Sequence, residues 1–316
     1  MNDKLKINGI RLNKDFIQLT QERISGTGDM SVPLYQILDA SRINMVFMAL
    51  NTIGRPFISG TIASKHFGQL SLQTDISACH PTVCTVSIYP HHYRLRLLGF
   101  FLSLIGRQKV FFRYLMSSGS MLTLVVDQKN CDSLIHLLSE EFDLPRSHVP
   151  FEQGENEELT RFLKKKFPET RANYVEKKIK TYGITIVPDL ILGYYMFSFD
   201  LLAEYGRKIK NMEGTEDTFF YLSAHMTASL QTHLFLLSKK LLDIPARETC
   251  PADLLTFHGP HFGDRHSIVS RALNCLSENF IPVLQVGCTG ASISIVLPRG
   301  NGKSAKQALM NVFEAP

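Results

Sequence analysis

The residues best suited to chemistry in this 316-residue chain are its histidines, three of which, His258, His261 and His266, fall within nine residues beside Asp264. His91 and His92 form a second pair. Imidazoles beside a carboxylate suit a divalent metal, but such a site needs several ligands converging at ~2 Å with supporting hydrogen bonds. Neither a His-Glu-x-x-His pattern nor a paired Cys/His spacing is present, so exposed or helix-capping histidines are the plainer reading. Serine, histidine and aspartate all occur, yet no Gly-x-Ser-x-Gly elbow presents a serine as a nucleophile. No Gly-rich phosphate cradle is apparent either. The six cysteines include no Cys-x-x-Cys, and Cys79 and Cys84 lie five apart across Pro81. Free, mostly buried thiols in a reducing compartment are expected, with no disulfide. These patterns point away from an enzyme, and no metal or cofactor is expected.

The clearest positioning elements lie in Asp253–Phe313. A short apolar run, Leu254–Phe257, breaks into the polar loop Gly259–His266. Ile268, Val269, Ala272, Leu273, Leu276 and Phe280 then trace one helical stripe. Two β-type runs follow, Val283–Gly287 and Ser292–Leu297, then the turn Arg299–Gly302 and a helix over Ser304–Phe313. The order is βαββα, and two helices on one side of a small antiparallel sheet would bury every apolar face, giving an α+β sandwich.

The chain is too long for one such unit and suits two to four. With 44% apolar and 20% charged residues it reads as globular. The net charge of +5 is mild and spread out, against nucleic-acid binding. The longest apolar run, Leu97–Ile105, is under half a bilayer crossing, and no apolar signal core follows the first residues. No membrane partner and a cytoplasmic location are expected.

Three further copies are legible. The first has a strand over Phe16–Ile24 after a polar start, residues 1–14, read as a frayed or edge segment, then the loop Ser25–Asp29, and a helix marked by Met30, Leu34, Ile37 and Leu38. Strands at Asn44–Leu50 and within Pro56–Thr74 complete it. The second has a strand at Thr82–Tyr89, a helix at Leu95–Ile105, strands at Lys109–Tyr114 and Met121–Val126, and a helix at Asn130–Phe142. The third has a strand at Tyr182–Val187, the loop Pro188–Gly193, and a helix with Phe197, Leu201, Leu202 and Tyr205 on its core face. β-structure at Phe219–Met226 and a helix at Ser229–Leu242 close it. Asp143-Leu-Pro145 and Asp243-Ile-Pro245 echo each other a hundred residues apart. The expected units are 1–80, 81–145, 181–249 and 250–316, with a polar, partly helical linker over 146–180 that carries Lys164–Lys166.

A tandem βαββα unit with Gly and Asp in its first strand-to-helix loop resembles the ACT domain, most closely the paired ACT domains of the aspartate kinase regulatory region. Gly259 and Phe262 stand at that family's Gly and Met places, and Ser267–Arg271 at its small-residue helix start. Ile281-Pro-Val283 stands at its Ile-Asn-Ile place, with Pro282 for the Asn. Arg42-Ile-Asn-Met45 keeps the Asn in the first copy. In the third copy Gly193, Phe199 and Leu202 match, with Lys208 for the Asn. In the second, Leu124–Asp127 and Leu137–Phe142 match the closing strand and helix. The kinase family's Lys-Phe-Gly-Gly-type opening is not in this sequence, so the expected molecule is a doubled regulatory region without a kinase domain.

The resemblance implies four ferredoxin-like βαββα units in two tandem pairs, and a homodimer formed through the ACT sheets. It also implies an amino-acid site where one unit's first loop meets its neighbour's second strand. Loop amides would receive the carboxylate, and an Asp or a carbonyl the ammonium. The residues so nominated are Gly28, Asp29, Met30 and Ser31 with Asn44 and Met45 in the first copy, and Asp264, Arg265 and His266 in the fourth. Asp29 and Ser31 are equally good helix caps, and Tyr194-Tyr195 reads as core packing before a ligand wall. The function expected is a non-catalytic regulator that binds an amino acid or similar metabolite. The alternative is a ligand-free module that assembles with a biosynthetic enzyme, ahead of a metal-dependent enzyme.

Overall fold

Two long, bent strands organise the chain. The computed structural model describes residues 4–22, 32–70, 76–145, 151–152, 178–212, 218–259, 262, 267–289 and 292–314. The first half contains β1 (Leu5–Lys6), β2 (Gly9–Glu22), α1 (Leu34–Ala40), β3 (Phe47–Asn51), β4 (Phe57–Ala63) and β5 (Ala78–Tyr89). It continues through α2 (Leu95–Arg107), β6 (Tyr114–Ser118), β7 (Met121–Asp127), α3 (Cys131–Glu141) and β8 (Phe142–Asp143), and β9 (Phe151–Glu152) follows. The second half has β10 (Ile179–Lys180), β11 (Gly183–Ser198), α4 (Leu202–Lys210), β12 (Phe219–Met226), β13 (Gln231–Ser238) and β14 (Glu248–His258). It ends with α5 (Ile268–Glu278), β15 (Gln285–Cys288), β16 (Ser292–Pro298), α6 (Gly302–Leu309) and β17 (Phe313–Glu314). Strand–helix–strand–strand therefore recurs four times, and we number these repeats 1 to 4.

Thirteen strands share one sheet in the order β4-β3-β15-β16-β14-β11-β13-β12-β6-β7-β5-β2-β9. β2 also pairs with β4, so all but β9 close into a ring. Closure needs two corners, and β2 and β11 make them. Their registers slip at Asn13/Phe16 and Val187/Leu190, around Asp15 (φ 65°) and Asp189 (φ 59°). An extra residue at each bulge bends the strand from one face of the ring to the other. Gln128 holds the first corner, and its amide donates to Asp15 Oδ1 at 3.2 Å. Asp253 holds the second; one of its oxygens accepts from Asp189 N at 3.3 Å and the other from Gly300 N and Gly302 N at 2.9 and 3.0 Å.

The ring is filled with side chains, not solvent. Phe47, Tyr114, Tyr221, Phe235, Leu254 and Val296 pack inside it. A second core lies under α1, α5 and α6, built on Leu34, Leu38, Leu276 and Leu309. A third lies under α2, α3 and α4, built on Leu98, Phe101, Leu138 and Leu202. The layers run helix, sheet, sheet, helix.

Several sequence expectations change here. The tandem neighbours do pair, 1 with 2 through β2–β5 and 3 with 4 through β11–β14, but the outer edges also join, 1 with 4 through β3–β15 and 2 with 3 through β6–β12, which the sequence did not suggest. Ser229–Leu242 holds strand β13, not a helix; seven of its eight residues are buried, so no period-two pattern shows. Pro188–Gly193 is strand with a bulge, and Phe197 is a strand residue. Of the two readings of the polar start, edge strand holds from Leu5 on: β1 and β8 form a parallel pair, and β2 begins at Gly9. Lys109 (φ 50°) follows α2, and the next strand begins at Tyr114. Asp143 lies in β8 whereas Asp243–Pro245 lies between β13 and β14, so that echo marks no equivalent place.

The expectation of no disulfide is also corrected. β5 and the start of α3 bring Cys84 and Cys131 to a Cα–Cα distance of 6.6 Å, and they are bonded. Their separation of 47 residues hid the pairing from spacing arguments. Closing a loop of this length is worth about 4 kcal/mol in the chain-entropy account. Cys84→Ser is expected to lower the unfolding free energy by about 2–4 kcal/mol in urea titrations, and reductant should shift the wild type but not the variant.

Candidate functional site: the interface of repeats 1 and 4

Pairing of β3 with β15 sets α1 beside α5. α1 ends in a left-handed Arg42 (φ 55°), and Ile43 N donates back to Leu38 O at 2.8 Å. This turn sends Ile43, Asn44 and Met45 across the front of the neighbouring repeat before β3 begins. α5 starts just after Ser267 (φ 76°), and its first α-type bond runs from Arg271 N to Ser267 O at 2.8 Å. By helix geometry the N–H groups of Ile268, Val269 and Ser270 have no intrahelical acceptor.

These two ends form a shallow cleft open to solvent. Tyr35 and Asp39, one turn apart on α1, form one wall with Ile43, Asn44 and Met45. Phe262 and Ser267–Ser270 form the other, and Cys288 and Ile293 lie at the base. Polar contacts bridge the two helices: Ser267 Oγ donates to Asp39 Oδ1, and Gln36 Nε2 to Asn274 Oδ1 at 2.8 Å. The cleft offers a carboxylate, a carboxamide, three hydroxyls and a helix N-terminus over a base of Cys288 and Ile293. One wall thus sets a carboxylate opposite a helix N-terminus, which favours negative charge.

Of the residues nominated from sequence, Asn44 and Met45 line this cleft. Gly28, Asp29, Met30, Ser31, Asp264, Arg265 and His266 lie outside the described residues. Asn44, assigned from sequence with the first repeat's own loop, shares its cleft with Phe262 and Ser267 of repeat 4; that loop lies outside the described residues. Lys208 lies within α4, paired with Glu204 at 2.9 Å, and so does not stand at the place corresponding to Asn44. Tyr194 and Tyr195 are buried strand residues. His258 is exposed beside the Tyr182 ring, with centroids 5.3 Å apart. Among the described residues no three His, Cys, Asp or Glu side chains converge as metal ligands. Sequence reasoning missed Tyr35 and Asp39. Their i, i+4 spacing on the helix leading into Asn44 was the available signal.

Interface 2/3 is built differently. α2 and α4 meet at backbone contact. An ideal Cβ on Gly99 would lie 2.6 Å from Gly206 O, and one on Gly206 2.7 Å from Gly99 O. Gly106 faces the backbone of Ala203 just as closely.

No protein-family model matches the sequence, and no curated protein matches it. Among solved structures, an aspartate kinase from Synechocystis superposes with a TM-score of 0.73 and 11% identity over 98% of this chain. The fold is shared with part of that enzyme. The chain spans 57% of that enzyme's length, and at this identity the likeness is one of fold alone. The ligand-free regulatory subunit of aspartate kinase from Thermus thermophilus aligns with 43% of this chain, at a TM-score of 0.36 and 12% identity, covering 99% of its own length. E. coli aspartokinase III in complex with lysine and aspartate aligns with 45%, at 0.31 and 15%, covering 35% of its own length. No helix among the described residues is long and apolar enough to cross a membrane.

Proposed function

We propose that the four repeats are ACT-like units and that the chain is a non-catalytic regulatory module. It binds an amino acid or similar zwitterionic metabolite between repeats 1 and 4. The carrying observation is the convergence of Asp39 and Asn44 from one repeat with the α5 N-terminus of another on a single cleft. Ligand contacts on both walls would favour one separation of α1 and α5 over others, which is how binding at an interface becomes a signal. The side-by-side pairing expected of two chains is, in this reading, made within one chain, since β3–β15 and β6–β12 already occupy those edges. The alternative, a ligand-free module that assembles with a biosynthetic enzyme, draws support from interface 2/3, which is sealed by glycines.

Thermal-shift and calorimetric titration with the standard amino acids test the proposal. At least one is expected to bind and raise the melting temperature. Asp39→Ala should weaken it roughly tenfold or more, the loss of one charge-assisted contact of about 1.5–3 kcal/mol. Asn44→Ala should weaken it less. No response to any amino acid would remove the sensing function and leave the assembly reading.

A further inference from the structure

The ring has an internal two-fold relation. Each half runs in the same strand order, β3-β4-β2-β5-β7-β6 and β12-β13-β11-β14-β16-β15, and the halves join through β3–β15 and β12–β6. α5 and α1 at interface 1/4 therefore correspond to α2 and α4 at interface 2/3. The cleft at the start of α5 has its counterpart at the start of α2, where by strand register Thr218 and Phe219 stand at the places of Asn44 and Met45.

That counterpart is filled by the chain itself. His91, just before α2, is fully buried. Its ring lies 4.7 Å from that of Tyr93 and 5.0 Å from that of Phe219, the first residue of β12. Phe219 N donates to Tyr93 O at 3.0 Å, and Arg94 and Thr218 form a β-bridge, so the loop is bonded across the interface. His91 N donates to Ser120 O at 2.9 Å. His91 Nδ1 accepts from Tyr93 N at 2.9 Å, which places the ring proton on Nε2, and Nε2 has no hydrogen-bond partner among the described residues. A phenylalanine would fill the same space without leaving a buried donor unmet, so packing alone does not account for an imidazole here.

We propose that the His91 imidazole occupies, as a tethered ligand, the position at interface 2/3 that corresponds to the open cleft at interface 1/4. The chain then has one site open to metabolite, and the second is held shut by its own side chain. The correspondence rests on the functional reading of the 1/4 cleft; the occupancy by His91 is tested independently of it.

The test is His91→Gly with free imidazole as the probe, read by melting temperature and calorimetry on the full chain. The variant is expected to melt several degrees lower, and millimolar imidazole should restore part of the loss saturably, at one equivalent per chain. Wild type and His91→Phe, which stays filled, should show no such response. Imidazole acting equally on all three, or on none, would overturn the proposal. If the glycine variant does not fold, hydrogen–deuterium exchange at the His91 ring carbon in the wild type decides. Exchange slowed at least tenfold relative to His92 supports a closed position, and exchange at the rate of His92 refutes it. Absence of amino-acid binding at Asp39 and Asn44 would leave these outcomes unchanged, so the two ideas fail separately.

Discussion

Gly206→Ala and Gly99→Ala are each expected to destabilise the chain by about 3 kcal/mol or more, against the direction of helix propensity, which favours alanine by about 1 kcal/mol. Both glycines are helical, so an intrinsic effect alone would make the substitutions stabilising. Packing decides otherwise. A Cβ at either position falls under 3 Å from main-chain atoms of the opposing helix, including Lys210 N and Ser103 N. Backbone cannot swing aside as a flexible side chain can, so the helices must separate and open the core built on Leu98, Phe101 and Leu202. Gly68→Ala is the control: nothing lies within 4 Å of its ideal Cβ, and a change within about 0.5 kcal/mol is expected. Urea melts of the three variants check this, and a neutral or stabilising Gly206→Ala would show that α2 and α4 are not in backbone contact.

The second large effect is with pH. Burial, then the neighbouring His92, holds His91 down to about 4. Burial, then His233, holds His225 down to about 3. His225 is stacked on His233 at 4.5 Å and meets Phe57 edge-on at 4.7 Å inside the ring. Both imidazoles are neutral in the folded chain at pH values where unfolded histidine, near 6.5, is already charged. The unfolded state therefore binds more protons below pH 6.5, and stability falls as pH drops. Each group contributes a loss of about 1.4 kcal/mol per pH unit, on the order of 3 kcal/mol by pH 4. The full stability is present above pH 6.5. Denaturant titrations from pH 7.5 to 4.5 should show this slope, and His225→Phe or His91→Phe should each make it shallower. A wild-type stability that stays flat over that range would mean that neither ring is shut away from water.

The local periods of this sequence were enough to reveal the repeating strand–helix–strand–strand pattern. Stripes such as Ile268, Val269, Ala272 and Leu276 point at cores from their own spacing, because a helix in contact with one neighbour has a single buried face. Where an element is buried all round, as β13 is, that signal is lost and the strand resembled a helix. Asn44 and Met45 were nominated because Arg42-Ile-Asn-Met45 resembles the Ile-Asn-Ile place of the ACT pattern, a signal carried by adjacent residues.

Their partners were not legible. Which loop faces Asn44 depends on β3 pairing with β15, more than two hundred residues away, and on β2 and β11 bending at Asp15 and Asp189 to close the ring. No local pattern encodes a pairing partner at that distance. The Cys84–Cys131 bond, the contact of Gly99 with Gly206, and the capture of His91 beneath Phe219 share that origin. The sequence by itself determined the kind of unit and its repetition, since those follow from hydrophobic spacing within twenty or so residues. Only the tertiary structure decided that repeat 1 faces repeat 4, because the β3–β15 and β6–β12 pairings close twelve strands into a ring and leave neither half with an unpaired outer strand.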